Sequence, residues 1–254
     1  MMNQNTSQIL VWPQGSQTVT RNITGNFSRP ICLFISVNGE IYTQKENFQI
    51  DKWLRNAADS NTTVAYVANR CYGIFLDTNN SLYCSIGYRN EIVKFALNDS
   101  TNASKTVAGN GTNGSDSYSL YFPRGIFVDV DFDLYIADCR NDRIQLFHLD
   151  QRNGTTVAGN GSMSVGFIYS PVAVILDADK QLFVVNAGNH QIILVRLNDT
   201  QCLVGCNGAG SLSDQLQNPR SISFDSYGNI LVADRDNNRI QRFNLATNSC
   251  RNYH

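Results

Sequence analysis

Three histidines are the only candidate imidazole ligands for a zinc ion: His148, His190 and His254. A catalytic zinc needs three protein ligands that converge and leave a fourth position open. These histidines occupy unrelated positions in the repeats described below, because His148 follows a predicted strand and His254 is the last residue. We therefore predict no zinc site, no other metal site and no bound cofactor.

Asp129, Asp131 and Asp133 have the spacing that begins a calcium-binding EF-hand loop. That loop also needs glycine at its sixth position and glutamate at its twelfth, where this chain has Leu134 and Arg140. Other repeats carry similar Asp and Asn residues at the same place. The pattern therefore predicts a tight turn, in which such side chains hydrogen-bond the backbone nearby.

An Asp, Asn and Arg set could support acid–base chemistry, and it occurs twice: at Asp138, Asn141 and Arg143, and at Asp234, Asn237 and Arg239. Catalytic residues seldom recur in several repeats, so we interpret both sets as structural. The chain has no Gly-x-Ser-x-Gly elbow, phosphate-binding loop, His-Glu-x-x-His motif or dinucleotide fingerprint. We predict that the protein is not an enzyme.

Composition restricts the partners. The chain has 254 residues, with 20 Lys and Arg against 21 Asp and Glu, and a net charge of −1. This balance argues against nucleic-acid binding, which depends on excess positive charge. No apolar stretch approaches the ~18–20 residues of a membrane-spanning helix, so we predict no membrane insertion. We expect another protein as the partner; composition does not predict the oligomeric state.

Sequons for N-glycosylation are unusually frequent. The chain has twelve Asn-x-Ser/Thr sequences, whereas random placement of its residues would give about four. Four of them, at Asn110, Asn113, Asn153 and Asn160, are also typical of Asn-Gly turns. We predict glycans at Asn5, Asn22, Asn26, Asn61, Asn79, Asn98, Asn102, Asn153 and Asn198.

Seven cysteines fit an oxidising compartment. Because the number is odd, at least one thiol is free or paired outside the chain. Cys202 and Cys206 can form a disulfide only if a turn separates them, since an extended strand would hold them ~13 Å apart. Cys84 lies in an apolar strand, where we expect a small buried hydrophobic residue.

We expect an extracellular or secretory-pathway protein, in view of the sequons and cysteines. The first residues, from Met1 to Asn5, lack the basic and apolar regions of a signal peptide. We therefore expect this chain to be a fragment of a longer protein.

The chain contains an internal repeat. Five apolar stretches end in Asp or Ser, at Ser36, Asp77, Asp129, Asp177 and Asp225, with spacings of 41, 52, 48 and 48 residues. Proline lies six residues before four of these markers, and Cys71 takes that place in the remaining repeat. Each repeat predicts four strands, a to d, exemplified by 125–129, 134–138, 143–147 and 154–159.

The strands are nearly continuous apolar runs, which indicates a sheet buried on both faces. No amphipathic segment is long enough to provide the crossover helices of a parallel sheet. Antiparallel blades packed face to face satisfy both observations, so the chain is predicted to be an all-β β-propeller of four-stranded antiparallel blades.

The segments Leu134–Ile144, Leu182–Ile192 and Ile230–Ile240 resemble the NHL repeat, whose consensus is of the kind L-Y-V-A-D-x-x-N-x-R-I. Asn189-His190-Gln191 occupies the place of the triplet that names the family. NHL propellers typically have six blades, so we expect six, the first one incomplete; a five-bladed ring is the alternative. We expect a single domain over 1–254, with a partial blade at 8–20 and full blades at 30–67, 71–108, 123–159, 171–206 and 219–254.

The resemblance also implies three functions. The first is a non-catalytic scaffold for protein recognition, which we favour. The second is a lyase that cleaves peptidyl-hydroxyglycine with a zinc held by three histidines. The third is the recognition domain of an intracellular ubiquitin ligase or RNA-binding regulator.

The loops between strands b and c differ most between repeats, and variable loops on a fixed scaffold commonly carry binding residues. Tyr and Arg are favoured anchors at protein interfaces. We therefore predict a binding face on one rim of the propeller, formed by Tyr88, Arg89, Arg140 and Arg235.

Overall fold

The computed structural model describes residues 32–45, 47–54, 61–99, 101, 103–160, 167–196 and 199–244. It also describes the backbone of three strands nearer the N-terminus, β1 (Met2–Asn3), β2 (Gln8–Val11) and β3 (Arg21–Thr24), which form a sheet in the order β1-β2-β3. No helix in these residues is long and apolar enough to cross a bilayer.

The protein is an all-β propeller with five antiparallel blades. Blade 1 contains β4 (Leu33–Ile35), β5 (Ile41–Gln44), β6 (Gln49–Trp53) and β7 (Asn61–Tyr66). Blade 2 contains β8 (Gly73–Leu76), β9 (Ser81–Ile86), β10 (Glu91–Ala96) and β11 (Ser104–Ala108). Blade 3 contains β12 (Pro123–Val128), β13 (Leu134–Asp138), β14 (Arg143–Phe147) and β15 (Thr155–Gly159).

Blade 4 contains β16 (Pro171–Leu176), β17 (Leu182–Asn186), β18 (Gln191–Arg196) and β19 (Asp199–Val204). Blade 5 has three strands within the described residues, β20 (Ser221–Phe224), β21 (Ile230–Asp234) and β22 (Arg239–Phe243). The propeller and its antiparallel blades are confirmed. The five-bladed alternative replaces the preferred count of six. The described part of the predicted partial blade at 8–20 is β2, which pairs with β1 and β3 in a sheet of its own.

The chain divides into two compact units. Unit 1 comprises Met1–Tyr135 and Leu146–Thr155, and unit 2 comprises Ile136–Gln145 and Thr156–His254. In unit 1 the core includes Tyr42, Ile50, Leu82 and Phe95, all essentially inaccessible to solvent. Every residue of β9 is buried, as expected for a strand with both faces covered.

Unit 2 has its own core, in which Val185, Ile192, Ile230 and Val232 are fully buried. Every residue of β17 is buried. The two-sided burial inferred from continuous apolar runs is therefore confirmed in both units.

The turns between strands a and b are built by the predicted Asp markers. In each of four blades, one carboxylate oxygen accepts the backbone N–H groups two and four residues later, at 2.8–3.0 Å. The four carboxylates belong to Asp77, Asp129, Asp177 and Asp225. They close the hairpins, which is the turn chemistry expected of Asp.

The structure contains two disulfides. Cys202 and Cys206 pair across a turn that follows β19, with a Cα–Cα distance of 5.7 Å, which meets the condition stated from the sequence. Cys71 pairs with Cys84. The interpretation of Cys84 as a free buried hydrophobic residue is therefore wrong, although its side chain is buried. Among the described cysteines, Cys32 and Cys139 are free and buried.

Candidate functional site

Strands b and c are joined by four short 3-10 turns, here called the b–c turns: Gly87–Arg89, Cys139–Asn141, Ala187–Asn189 and Arg235–Asn237. Each ends at a residue in the left-handed conformation, at Asn90, Asp142, His190 or Asn238, with φ between 51° and 60°. The predicted binding residues Tyr88, Arg89, Arg140 and Arg235 all lie within these turns.

The left-handed residue of a b–c turn also holds the start of the following blade. Asn90 Oδ1 accepts the backbone N–H of Phe122 at 2.9 Å, and Asp142 Oδ1 accepts that of Ser170 at 2.7 Å. His190 Nδ1 accepts the backbone N–H of Asn218 in the same way. Each donor directly precedes the proline that begins the next repeat. The side chains at this position are therefore structural acceptors.

The repeated Asp–Asn–Arg sets are also structural. Asp138 Oδ2 accepts hydrogen bonds from Arg143 Nε and Asn141 Nδ2, both at 2.8 Å. Both partners in the Asp138–Arg143 ion pair are buried. The interpretation of this set as a structural brace agrees with the geometry.

The second set repeats this geometry around the buried carboxylate of Asp234. Its Oδ2 accepts Asn237 Nδ2 and Arg239 Nε, both at 2.8 Å. Burial acts to raise the pKa of Asp234, but hydrogen bonds from Gln217, Asn237 and Arg239 outweigh it and hold the pKa below its ordinary value. The carboxylate is therefore ionised at neutral pH, and both of its oxygens accept hydrogen bonds from neighbouring groups.

The sequence raises the possibility of a zinc or calcium site. In the described part of the chain, no three His, Cys, Asp or Glu side chains lie close enough together to hold a metal ion. His148 Nδ1 lies 2.9 Å from Asp133 Oδ2, and the His148 side chain is exposed. Asp129 Oδ1 closes its own turn. His254 lies outside the described residues.

Tyr88 is the one aromatic residue in the four b–c turns, and it is exposed, at 66% of its full accessibility. Its ring meets the edge of Tyr72 and of Phe122, with centroid distances of 5.9 and 5.2 Å. The Arg124 guanidinium lies over Tyr72 and Phe122, at 5.7 and 5.4 Å from their centroids. We call these three rings and the guanidinium of Arg124 the Tyr88 cluster.

The cluster is only partly foreseen from the sequence, which singles out Tyr88 but misses its three neighbours. A usable signal is the repeat register: Tyr72 and Arg124 each follow the residue that begins strand a, and Phe122 precedes it. The start of strand a and the preceding b–c turn are held together by the Asn90 contact. The repeat therefore brings these positions together.

Arg89 lies beside a small pocket of about 130 Å³, lined by Val67, Ala68, Ile86, Arg89, Glu91, Val93, Ser104 and Thr106. Its Nε is 2.9 Å from Glu91 Oε1. Glu91 Oε2 in turn accepts the Thr106 hydroxyl at 3.0 Å. The positive charge of Arg89 is thus neutralised within the protein, although half of its side chain is exposed.

Arg140 and Arg235 occupy corresponding b–c turns of unit 2, and both are exposed. Arg235 Nε is 3.6 Å from Asp236 Oδ1, a contact between two exposed groups. Such surface pairs contribute little to stability. Unit 1 brings Tyr88 and Arg89 together in one turn.

The predicted glycosylation sites differ in what the structure describes. Asn79, Asn98 and Asn153 are exposed. The strands β3 and β7 contain Asn22 and Asn61, for which only the backbone is described, and Asn5, Asn26, Asn102 and Asn198 lie outside the described residues. The three exposed sites have the accessibility that N-glycosylation requires.

Comparison with known proteins supports the repeat and the fold. The NHL repeat family model matches residues 216–243, which confirms the predicted resemblance there. No curated protein sequence matches the chain.

Among solved structures, a streptogramin B lyase is 15% identical with a TM-score of 0.60, covering 87% of this chain and 67% of the lyase. An auxiliary nutrient binding protein from Bacteroides thetaiotaomicron VPI-5482 is 14% identical with a TM-score of 0.66, covering 86% of this chain and 59% of that protein. A protein of unknown function from the same organism has 14% identity, a TM-score of 0.68, and coverages of 88% and 60%. The chain thus spans 59% to 67% of these proteins, and the similarity establishes the fold alone.

Proposed function

We propose that the protein is a non-catalytic module that binds another protein through its b–c turns. The observation that carries this proposal is the exposed ring of Tyr88, which is held edge-on by Tyr72 and Phe122. A rigid aromatic side chain contributes a large contact area and loses little conformational entropy on binding. Tyr and Arg, the residue types exposed in these turns, are enriched among binding hot spots.

The arrangement of the polar residues supports a binding role over catalysis. The repeated Asp residues hold Arg and Asn partners, and Asn90 and Asp142 are used as acceptors of backbone N–H groups. These groups stabilise turns that recur from blade to blade. A lyase is the alternative, because the similar structures include a streptogramin B lyase; that likeness is one of fold only.

A secretory-pathway location belongs to the same proposal. Disulfides persist in oxidising compartments, and this chain forms two. The exposed sequons at Asn79, Asn98 and Asn153 support the same location.

The proposal is tested by selecting displayed random peptides on the purified, glycosylated full chain. The affinity of each selected peptide is then measured by calorimetry for the original chain and for Tyr88→Ala. We expect Tyr88→Ala to weaken binding by about tenfold or more, as for a central aromatic anchor. Tyr227→Ala is the matched control, because Tyr227 is also exposed, at 77%, but lies in an a–b turn.

Two outcomes would contradict the proposal. One is a set of selected peptides whose affinity is unchanged by Tyr88→Ala. The other is stoichiometric zinc in the purified protein together with lyase turnover that chelation abolishes, which would establish the enzymatic alternative.

A further inference from the structure

Arg124 has a buried Nε with no hydrogen-bond acceptor in the described part of the chain. Its guanidinium lies over two aromatic rings, those of Tyr72 and Phe122. The rings stabilise the cation, but they do not provide the oxygen acceptors to which guanidinium N–H groups donate hydrogen bonds. Carboxylates are the strongest such acceptors. Arg124 is therefore positioned by the rings. Its side chain is half-buried and only Nε is sealed from solvent, so the terminal guanidinium nitrogens are the donors that a ligand can reach.

A second cation, Arg70, lies two residues before Tyr72 in the chain, and its side chain is half-buried. Burial, together with a hydrogen bond and a charge interaction with Tyr88, raises the pKa of Tyr72 to about 12, while Arg124 and Arg70 act in the opposite direction. Neither arginine side chain has an ion pair with any residue that the structure describes. Arg124 and Arg70 therefore bring two positive charges to the cluster, and neither is paired with a carboxylate among the described residues.

The backbone beneath Arg124 is held in place. Its carbonyl oxygen accepts the hydroxyl of Ser85. A Cβ added at Gly73 would lie 2.7 Å from the same carbonyl oxygen, so glycine permits the close approach of the two strands. A site whose cation is fixed before the ligand arrives loses less entropy on binding.

We infer that the Tyr88 cluster with Arg70 binds a carboxylate side chain of an acidic peptide segment, with an adjacent apolar side chain against the exposed ring of Tyr88. The inference rests on the proposed function and specifies the chemistry of its partner. Arg89 is not the anchor, because Glu91 already neutralises it. A peptide is favoured over nucleic acid because the chain carries a net charge of −1 and therefore lacks the overall positive charge of phosphate-backbone binders.

The test uses an array of short peptides with blocked termini, each carrying glutamate beside an aromatic or aliphatic residue and each paired with its glutamine counterpart. Binding of the full chain is measured for the original protein, Arg124→Gln and Arg70→Gln. We expect the glutamate peptides to bind, the glutamine counterparts to bind about tenfold more weakly, and each arginine substitution to remove that preference. Lys105→Gln is the matched control, because it removes one exposed positive charge outside the cluster and should leave the preference intact.

The outcomes separate this inference from the proposed function. Equal binding of glutamate and glutamine peptides, lost in Tyr88→Ala, would overturn the carboxylate site and leave the proposed function standing. Failure of every peptide in the array to bind would overturn the inference, and empty selections with random peptides would remove the proposed function as well. Tighter, Arg124-dependent binding of single-stranded RNA would overturn the peptide as ligand. Unchanged thermal unfolding of Arg124→Gln verifies that lost binding is not lost folding.

Discussion

The Nδ1 atom of His190 accepts a hydrogen bond from the backbone N–H of Asn218 at 2.9 Å. Because a backbone N–H can only donate, this ring nitrogen must carry a lone pair, and the neutral ring carries its proton on Nε2. His190 also has a positive φ of 60° and ends its b–c turn. The imidazole thus performs the task that Asn90 and Asp142 perform with side-chain oxygens, which gives this histidine a structural role.

This relationship predicts how substitutions at His190 affect stability. His190→Ala leaves the Asn218 N–H without its acceptor and places alanine in a left-handed conformation, so we expect unfolding to become about 1–2 kcal/mol easier. His190→Asn supplies an oxygen acceptor and tolerates positive φ, as Asn90 does, and should stay within about 0.5 kcal/mol of the original chain. Urea unfolding measures both, and equal midpoints for the two variants would refute the structural role.

The fold follows from sequence because one pattern is repeated. Strands 134–138 and 143–147 are found at the predicted bounds, since each turn between strands is specified by residues whose conformation is local. The preferred count of six blades was wrong, and the five-bladed alternative is the one that the structure has. Residues near the N-terminus have the composition of strands, but local pattern cannot tell which strands will pair with them.

Acid sensitivity should arise in part from Asp234. Its folded-state pKa lies below the ordinary value of 3.8, so the unfolded chain binds protons more readily. The stabilisation is fully present above the ordinary value and is lost as pH falls through the lower, folded-state value. We expect the free energy of unfolding to fall below about pH 4, and Asp234→Asn to flatten this decline while destabilising the protein at pH 7. Denaturant titrations at several pH values test this; an unchanged acid slope in the variant would count against it.

The two disulfides should contribute unequally. The Cys71–Cys84 bridge closes a sequence separation of 13 residues and the Cys202–Cys206 bridge a separation of 4. On loop-entropy grounds, removing the first with a double Ala substitution should cost about 3 kcal/mol and removing the second about 2 kcal/mol. Calorimetric unfolding of the two double variants compares them. Peptide mapping without reduction checks the pairing, and a free thiol at Cys84 would show that the bridge is absent.

The candidate site was less predictable than the fold. Tyr88 stands out in sequence as a deviation from the repeat, but Arg124 does not, because it lies in an ordinary strand position. Its significance depends on the rings of Tyr72 and Phe122. Tyr72 precedes Arg124 by 52 residues in the sequence, and Phe122 precedes it by 2. The missing Nε acceptor is a property of packing, and no residue pattern reports it.

Glycosylation is expected at the exposed sequons. Expression through a eukaryotic secretory pathway with an added signal peptide should yield a product heavier than 28.3 kDa that an N-glycan amidase returns to that mass. Asn98→Gln and Asn153→Gln should each remove one glycan, because both residues are exposed. Asn47→Gln is the control, because Asn47 is exposed and lies outside any sequon. A product of unmodified mass would mean that the sequon excess reflects turn composition.

A buried arginine and an exposed arginine of the repeats should respond to substitution in opposite ways. Arg143 is buried against the buried carboxylate of Asp138, so Arg143→Ala strands a negative charge in the interior and should cost about 3–5 kcal/mol. Arg235 is exposed in its b–c turn, so Arg235→Ala should change stability by less than about 0.5 kcal/mol and remain suitable for binding measurements. The pair of Asp138→Asn and Arg143→Met removes both charges and keeps an acceptor for Asn141, and we expect it to recover more than half of the loss. Thermal unfolding of the three variants tests these expectations. If Arg143→Ala proved as stable as the original chain, Arg143 would not be a structural brace. Recurrence in the repeats would then not distinguish structural arginines from binding ones.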